Sequence, residues 1–83
     1  GIAGNTRRLL SGDLSLSIDW NAWDRPALFT FIGKTGNVPE EDMRRTFNLG
    51  VGLVAVIAAE KADAANDILK EFPQQSWVIG EVR

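Results

Sequence analysis

The stretch Arg44-Arg45-Thr46-Phe47-Asn48-Leu49-Gly50-Val51-Gly52 gathers side chains suited to holding a ligand. Thr46 and Asn48 carry a hydroxyl and an amide, Arg45 a cation, and Gly50 and Gly52 permit close approach of a ligand or of another backbone. The pair Gly50-Val51-Gly52 is no dinucleotide fingerprint, because those glycines follow a strand and open a helix, whereas these open a strand and lack a third glycine. Two readings stand: a ligand-facing loop, or a loop that only admits the chain to a strand. Asn5 and Arg8 form a smaller set, an anion contact on one reading and a capped helix with a surface arginine on the other. The chain has no histidine, cysteine or tyrosine. That excludes a Ser-His-Asp triad, a thiol nucleophile and the usual zinc ligands, and leaves acid/base work to a carboxylate or one of three lysines. These residue types bind and orient better than they catalyse. The acids Glu40, Glu41 and Asp42 read as a solvated helix start rather than a metal or catalytic cluster.

These residues must be positioned by short elements. Asn5 or Thr6 can cap a two-turn helix ending near Gly12. Leu14 to Asp19 alternates apolar and polar residues and reads as a half-buried strand, with Trp20 to Asp24 as a connecting loop. Asp24 is a plausible cap for a helix with Pro26 in its first turn and Leu28, Phe29 and Ile32 on one apolar face, and Gly36-Asn37 suits its left-handed end. Pro39 restarts the helix, with Met43 and Phe47 on one side. The β-branched run from Val51 to Ile57 reads as a strand covered on both faces and hence the centre of a sheet. Glu60 to Phe72 has helical apolar spacing and stops at Pro73, and Trp77 to Val82 supplies a last strand. Three strands and several helices predict an α+β fold, with helices packed on a small, mainly antiparallel sheet. A right-handed crossover over residues 51–82 forms if those strands are parallel.

Eighty-three residues make a single domain, 1–83, expected to bury roughly 60–65% of the unfolded surface. With 45% hydrophobic and 24% charged residues it should fold. Nine basic against eleven acidic residues leave no electrostatic footprint for nucleic acid. The longest apolar run, Leu49 to Ala59, is too short to cross a bilayer, and no signal-peptide pattern opens the chain. The expectation is a soluble, cytoplasmic protein with no membrane partner.

Arg45-Thr46-Phe47-Asn48-Leu49-Gly50-Val51-Gly52-Leu53 resembles the Arg-Thr-Phe-Asn-x-Gly-x-Gly-Met/Leu signature of phosphoribosylformylglycinamidine cyclo-ligase, also called aminoimidazole ribonucleotide synthetase. Gly1-Ile2-Ala3-Gly4-Asn5-Thr6-Arg7-Arg8-Leu9-Leu10 resembles the segment after that family's His-x-Thr-Gly-Gly-Gly loop, with Gly1 as its last glycine. Thr6-Arg7 departs from the usual apolar residue and proline, and Leu53 stands where methionine is frequent. Trp23, Pro26, Phe29, Gly36-Asn37-Val38, Glu40 and Glu41, and Trp77 to Val82 match in order, so the resemblance covers essentially the whole chain. It falls on the later part of the family's C-terminal domain, a layered α/β arrangement, ferredoxin-like in part, and leaves the ATP-binding N-terminal domain outside.

The activity so implied is closure of the imidazole ring of a purine precursor. ATP, with Mg2+, phosphorylates the formyl oxygen of formylglycinamidine ribonucleotide, and a substrate nitrogen attacks the activated carbon, releasing phosphate. ATP and Mg2+ are bound mainly outside these residues, no metal ligand or catalytic residue falls within them, and the parent enzyme is a homodimer that needs its N-terminal domain. On this resemblance Gly1, Asn5, Arg8, Thr46, Asn48, Gly50 and Gly52 form one wall of the ribonucleotide cleft, an arginine and glycine N–H groups being suited to phosphate. The resemblance extends more weakly to formylglycinamidine ribonucleotide synthetase, thiamine-monophosphate kinase and selenophosphate synthetase. A reading from another class is a non-catalytic interaction module, whose tryptophans and unpaired sheet edge associate with another copy.

Overall fold

Seven short elements follow one another in the computed structural model, which describes every residue from Gly1 to Arg83. They are α1 (Ile2–Arg7), β1 (Leu16–Ile18), α2 (Ala27–Thr35), α3 (Glu40–Thr46), a 3-10 turn (Ala59–Lys61), α4 (Ala62–Leu69) and β2 (Gly80–Val82). Local chemistry explains several ends. In α2, Asn37 takes a left-handed φ of 49°, Val38 N–H reaches back to Gly33 O at 2.9 Å, and Asn37 N–H reaches Lys34 O at 3.4 Å. This pair of bonds is a Schellman cap, which satisfies carbonyls the helix leaves open. In α3, Glu40, Glu41 and Asp42 occupy the first turn and Arg44 and Arg45 the last, the charge order that suits the helix dipole.

β1 and β2, from opposite ends of the chain, pair antiparallel with Leu16 opposite Val82 and Ile18 opposite Gly80. Gly80 is needed there, because a Cβ would stand 2.1 Å from Ser17 O. α1 packs on α3 and β1, and α2 packs on α3. Ile2, Trp23, Met43, Leu49 and Val51 form the buried core, with Phe29, Ile32, Val38 and Phe47 against it.

The α+β class agrees with the sequence pattern, whereas several of its details are corrected. The sheet has two strands, and residues 51–57 form none. No backbone hydrogen bond joins residues 52–57 to another segment, and Leu53 is 90% exposed. An apolar run of this kind asks for cover on two faces, and nothing else within these 83 residues supplies it. The parallel crossover is therefore absent, the sheet being a single antiparallel pair. α1 starts at Ile2, before Asn5 and Thr6, because the buried Ile2 anchors its first turn and Gly1 lies against the carbonyls of Arg44 and Arg45. Pro26, not Asp24, precedes α2, with ψ of 141°, and Trp23 lies in the loop as expected but with its side chain buried in the core. Leu28 points outward, while Phe29 and Ile32 are half-buried. The expected helix over 60–72 is a 3-10 turn followed by α4, and the last strand narrows to Gly80–Val82. No helix is long and apolar enough to cross a membrane.

The molecule is a slab, 42 × 35 × 16 Å. Its accessible surface is 6543 Å2, against about 4900 Å2 for a compact monomer of this mass. Folding thus buries only about half of the extended-chain surface, less than the length predicts. Met43, 2% exposed, carries much of that small core at the junction of α2 and α3. Opposite it, Gly33 sits inside α2, and a Cβ added there would lie 3.6 Å from Met43 Sδ, an ordinary packing distance. Gly33→Ala should therefore remove backbone entropy from the unfolded state without strain, stabilising by about 0.5–1 kcal/mol. The check is thermal unfolding, with a midpoint rise of about 2–8 °C. An unchanged or lower midpoint would show that the helix cannot accept the methyl group.

Candidate functional site

An open cleft of about 450 Å3 lies between the first helix and the segment that leaves α3. Ile2, Asn5, Thr6 and Leu9 recur at helical spacing, so α1 and the turn after it present one face. From the other side come Thr46, Asn48, Val51, Gly52, Leu53 and Val54, with Gly1 completing the lining. Each wall mixes amide and hydroxyl groups with aliphatic side chains, and no charged side chain faces the space. Such a wall can hydrogen-bond a neutral polar group and pack an apolar surface.

The segment that leaves α3 turns sharply. Asn48 O accepts from Val51 N–H at 3.0 Å, and Leu49 and Gly50 between them have φ of 54° and 99°. Positive φ at both central residues is the signature of a type I′ turn. Leucine is an unusual occupant of the left-handed region, at a cost of about 1–2 kcal/mol. Four features offset it. The Leu49 side chain is fully buried. The Trp23 indole N–H donates to Leu49 O at 2.9 Å within the core. Asn48 Oδ1 accepts from Gly50 N–H at 2.9 Å. Finally, the Pro26 ring abuts Gly50, where a Cβ would fall 2.5 Å from Pro26 Cδ.

Of the residues singled out in the sequence, Gly1, Asn5, Thr46, Asn48 and Gly52 line the cleft. Arg8 does not line it, although its guanidinium reaches Asn5 Oδ1 at 3.5 Å from the exposed side. Gly50 lies behind the wall, with its N–H already donated within the turn. Sequence reasoning missed Ile2, Thr6 and Leu9, which one helix phase starting at Ile2 would have collected. It also missed Trp23, for which a polar loop context left no periodic signal.

A second cluster joins the loop before α2 to α3. Arg25 makes a two-pronged bond to Glu40 at 2.8 and 2.9 Å, Arg44 Nε donates to the same carboxylate at 2.7 Å, and the Arg44 guanidinium lies 4.6 Å from the centre of the Trp20 ring. The bond from Arg25, reinforced by Arg44, lowers the Glu40 pKa from 4.5 to about 2, and the same bond raises that of Arg25. A carboxylate whose pKa is lowered in the folded state stabilises fully above its unfolded pKa and loses that contribution as pH falls through the folded one. Glu40→Gln should thus lower the urea midpoint at about pH 6 and lower it much less near pH 2, where the folded-state carboxylate is half protonated, with 1 M salt shrinking the difference because the pair is partly exposed. Equal gaps at both pH values would remove the ion pair from the account.

Taken together, the structure is an α+β slab with an open cleft whose lining carries no charged side chain. The family model described as AIR synthase related protein, C-terminal domain, matches residues 1–83. The chain is similar to phosphoribosylformylglycinamidine cyclo-ligase of Sorangium cellulosum, with 45% identity over 82 residues, 99% of this chain and 24% of that protein. It is 41% identical over its whole length to the protein of the same name from Neisseria meningitidis and 39% to that from Trichlorobacter lovleyi, covering 24% of each. The chain belongs to the AIR synthase related protein C-terminal domain family, and it spans about a quarter of the length of these curated relatives.

Proposed function

We propose that the protein carrying this chain is an ATP-dependent cyclo-ligase that converts formylglycinamidine ribonucleotide to aminoimidazole ribonucleotide, and that this chain supplies one wall of the ribonucleotide cleft. One observation carries the reading. The two segments with the family signature, residues 1–10 and 45–53, are distant in sequence yet line the same cleft. Gly1, Asn5, Thr46, Asn48 and Gly52 hold the uncharged part of the substrate by hydrogen bonds, Arg8 reaches its phosphate from the rim, and Gly50 shapes the turn.

The residues of this chain do not suit a magnesium nucleotide. No carboxylate lines the cleft, and no three acidic side chains converge elsewhere. A hard cation with a triphosphate needs carboxylate or clustered cationic partners. ATP and Mg2+ therefore belong to the N-terminal domain, and this wall positions the ribonucleotide while charge develops opposite it. In the complete cytoplasmic homodimer, the exposed run 52–57 takes its place in a larger layered sheet, ferredoxin-like in part, against segments outside this chain.

Phosphate release by the complete protein, measured with ATP and formylglycinamidine ribonucleotide together and singly, tests the activity. Release is expected only with both. Gly52→Ala tests the wall. A Cβ there meets no protein atom within 4 Å, so the fold should be undisturbed, while the new methyl group narrows the cleft. The expected result is an unchanged melting temperature and a KM for the ribonucleotide raised about tenfold. Turnover without the ribonucleotide would refute the activity, and an unchanged KM would refute the wall.

A further inference from the structure

Trp23 does not itself line the cleft, packing instead in the core behind it with Ile2 and Val51, and it spends its one polar hydrogen on a backbone carbonyl 26 positions away. That carbonyl belongs to Leu49, the left-handed residue of the turn between Asn48 and Val51. In such a turn the peptide plane between the two central residues can rotate, converting the turn to another type with little displacement of its ends. Rotation of the Leu49-Gly50 plane would carry the Leu49 carbonyl away from the indole and the Gly50 N–H away from Asn48 Oδ1. The two bonds therefore report on, and hold, the same plane. With Asn48 Oδ1 so engaged, its amide nitrogen donates to no acceptor within the chain and remains available at the cleft wall. The Pro26 ring, three residues after Trp23, also lies against Gly50, where an added Cβ would fall 2.5 Å from its Cδ.

We propose that Trp23 is a positioning residue for the cleft: its indole N–H locks the Leu49-Gly50 peptide plane and thereby sets the Asn48 amide and the Gly52 backbone in the orientation that meets the substrate. The inference rests on the cyclo-ligase reading of the cleft for the identity of that substrate. Strained backbone held by surrounding structure is a recurrent feature of binding sites, and here the restraining group can be named.

The test uses the complete protein with Trp23 replaced by 3-benzothienylalanine, which keeps the shape and size of the indole and puts sulfur in place of the N–H. Trp23→Phe, which also loses volume, serves as a second variant. Two quantities are read: the amide exchange rate of the peptide covering residues 47–54, and the dissociation constants of formylglycinamidine ribonucleotide and of ATP by calorimetry. Loss of one buried hydrogen bond should raise exchange at Gly50 about tenfold and weaken the ribonucleotide about tenfold, with ATP affinity unchanged. A purely structural role would lower the melting temperature and the active fraction while leaving the ribonucleotide constant of the folded protein as it was. That result, or unchanged exchange at residues 47–54 in the isosteric variant, would overturn the proposal. If the unsubstituted protein fails to bind the ribonucleotide, the cyclo-ligase reading falls, and the exchange rate alone then decides whether Trp23 holds the turn.

Discussion

Leu49→Ala is expected to cost about 2–5 kcal/mol, the range for emptying a fully buried leucine site. Leu49 has no exposed surface and is one of the two largest side chains fully enclosed in the molecule, Met43 being the other. A slab with six buried residues has little capacity to collapse around the space left behind. Domains of this length have total stabilities of about 4–12 kcal/mol, so one substitution should remove a large share of the total. The alanine would also keep the unfavourable left-handed φ while losing the packing that offsets it. Urea unfolding of the 83-residue chain measures the change, and Leu53→Ala is the control. Leu53 is the same residue type four positions on but 90% exposed, and its truncation should stay within about 0.5 kcal/mol. Similar losses at the two positions would mean that the core does not lie where Leu49 is found.

Gly50→Ala should destabilise by about 2–4 kcal/mol, from two separable sources. A φ of 99° is costly for any residue with a Cβ, and that Cβ would fall 2.5 Å from Pro26 Cδ and 2.8 Å from Cγ. The second source can be isolated in a double-mutant cycle. Pro26→Ala removes the ring, so the pair of substitutions together should cost clearly less than their sum. Strict additivity would leave the dihedral as the whole effect. Gly52, two residues on, has neither the unusual φ nor a neighbour in the way. The two glycines of the motif thus divide the work, one shaping the turn and the other leaving space in the cleft.

Legibility followed the range of the interaction. α2 and α3 were readable because their signals are local: an asparagine after a glycine at the end of one, acids at the start and arginines at the end of the other. β1 was readable from two-residue alternation, although it covers only Leu16–Ile18. The run from Val51 to Ile57 was misread because hydrophobicity records a demand for cover without naming its source, and here no strand of the chain answers it. Trp23 was rightly placed in a connecting loop, but its burial was not legible, because one residue anchored by a carbonyl 26 positions away leaves no periodic trace. The polar members of the cleft were visible as residue types, but their meeting was not, since α1 and the turn after α3 are joined only through packing.

By itself the sequence determined the α+β class, the absence of thiol, imidazole and phenol chemistry, and the family to which the chain belongs, because composition, local periodicity and a nine-residue signature need no knowledge of what lies across space. Only the tertiary structure decided which glycine bends the chain, which lines the cleft, and that a tryptophan outside the site holds the turn within it. Those are properties of atoms brought together from distant positions, where a clash of one methyl group or the direction of one carbonyl sets the outcome.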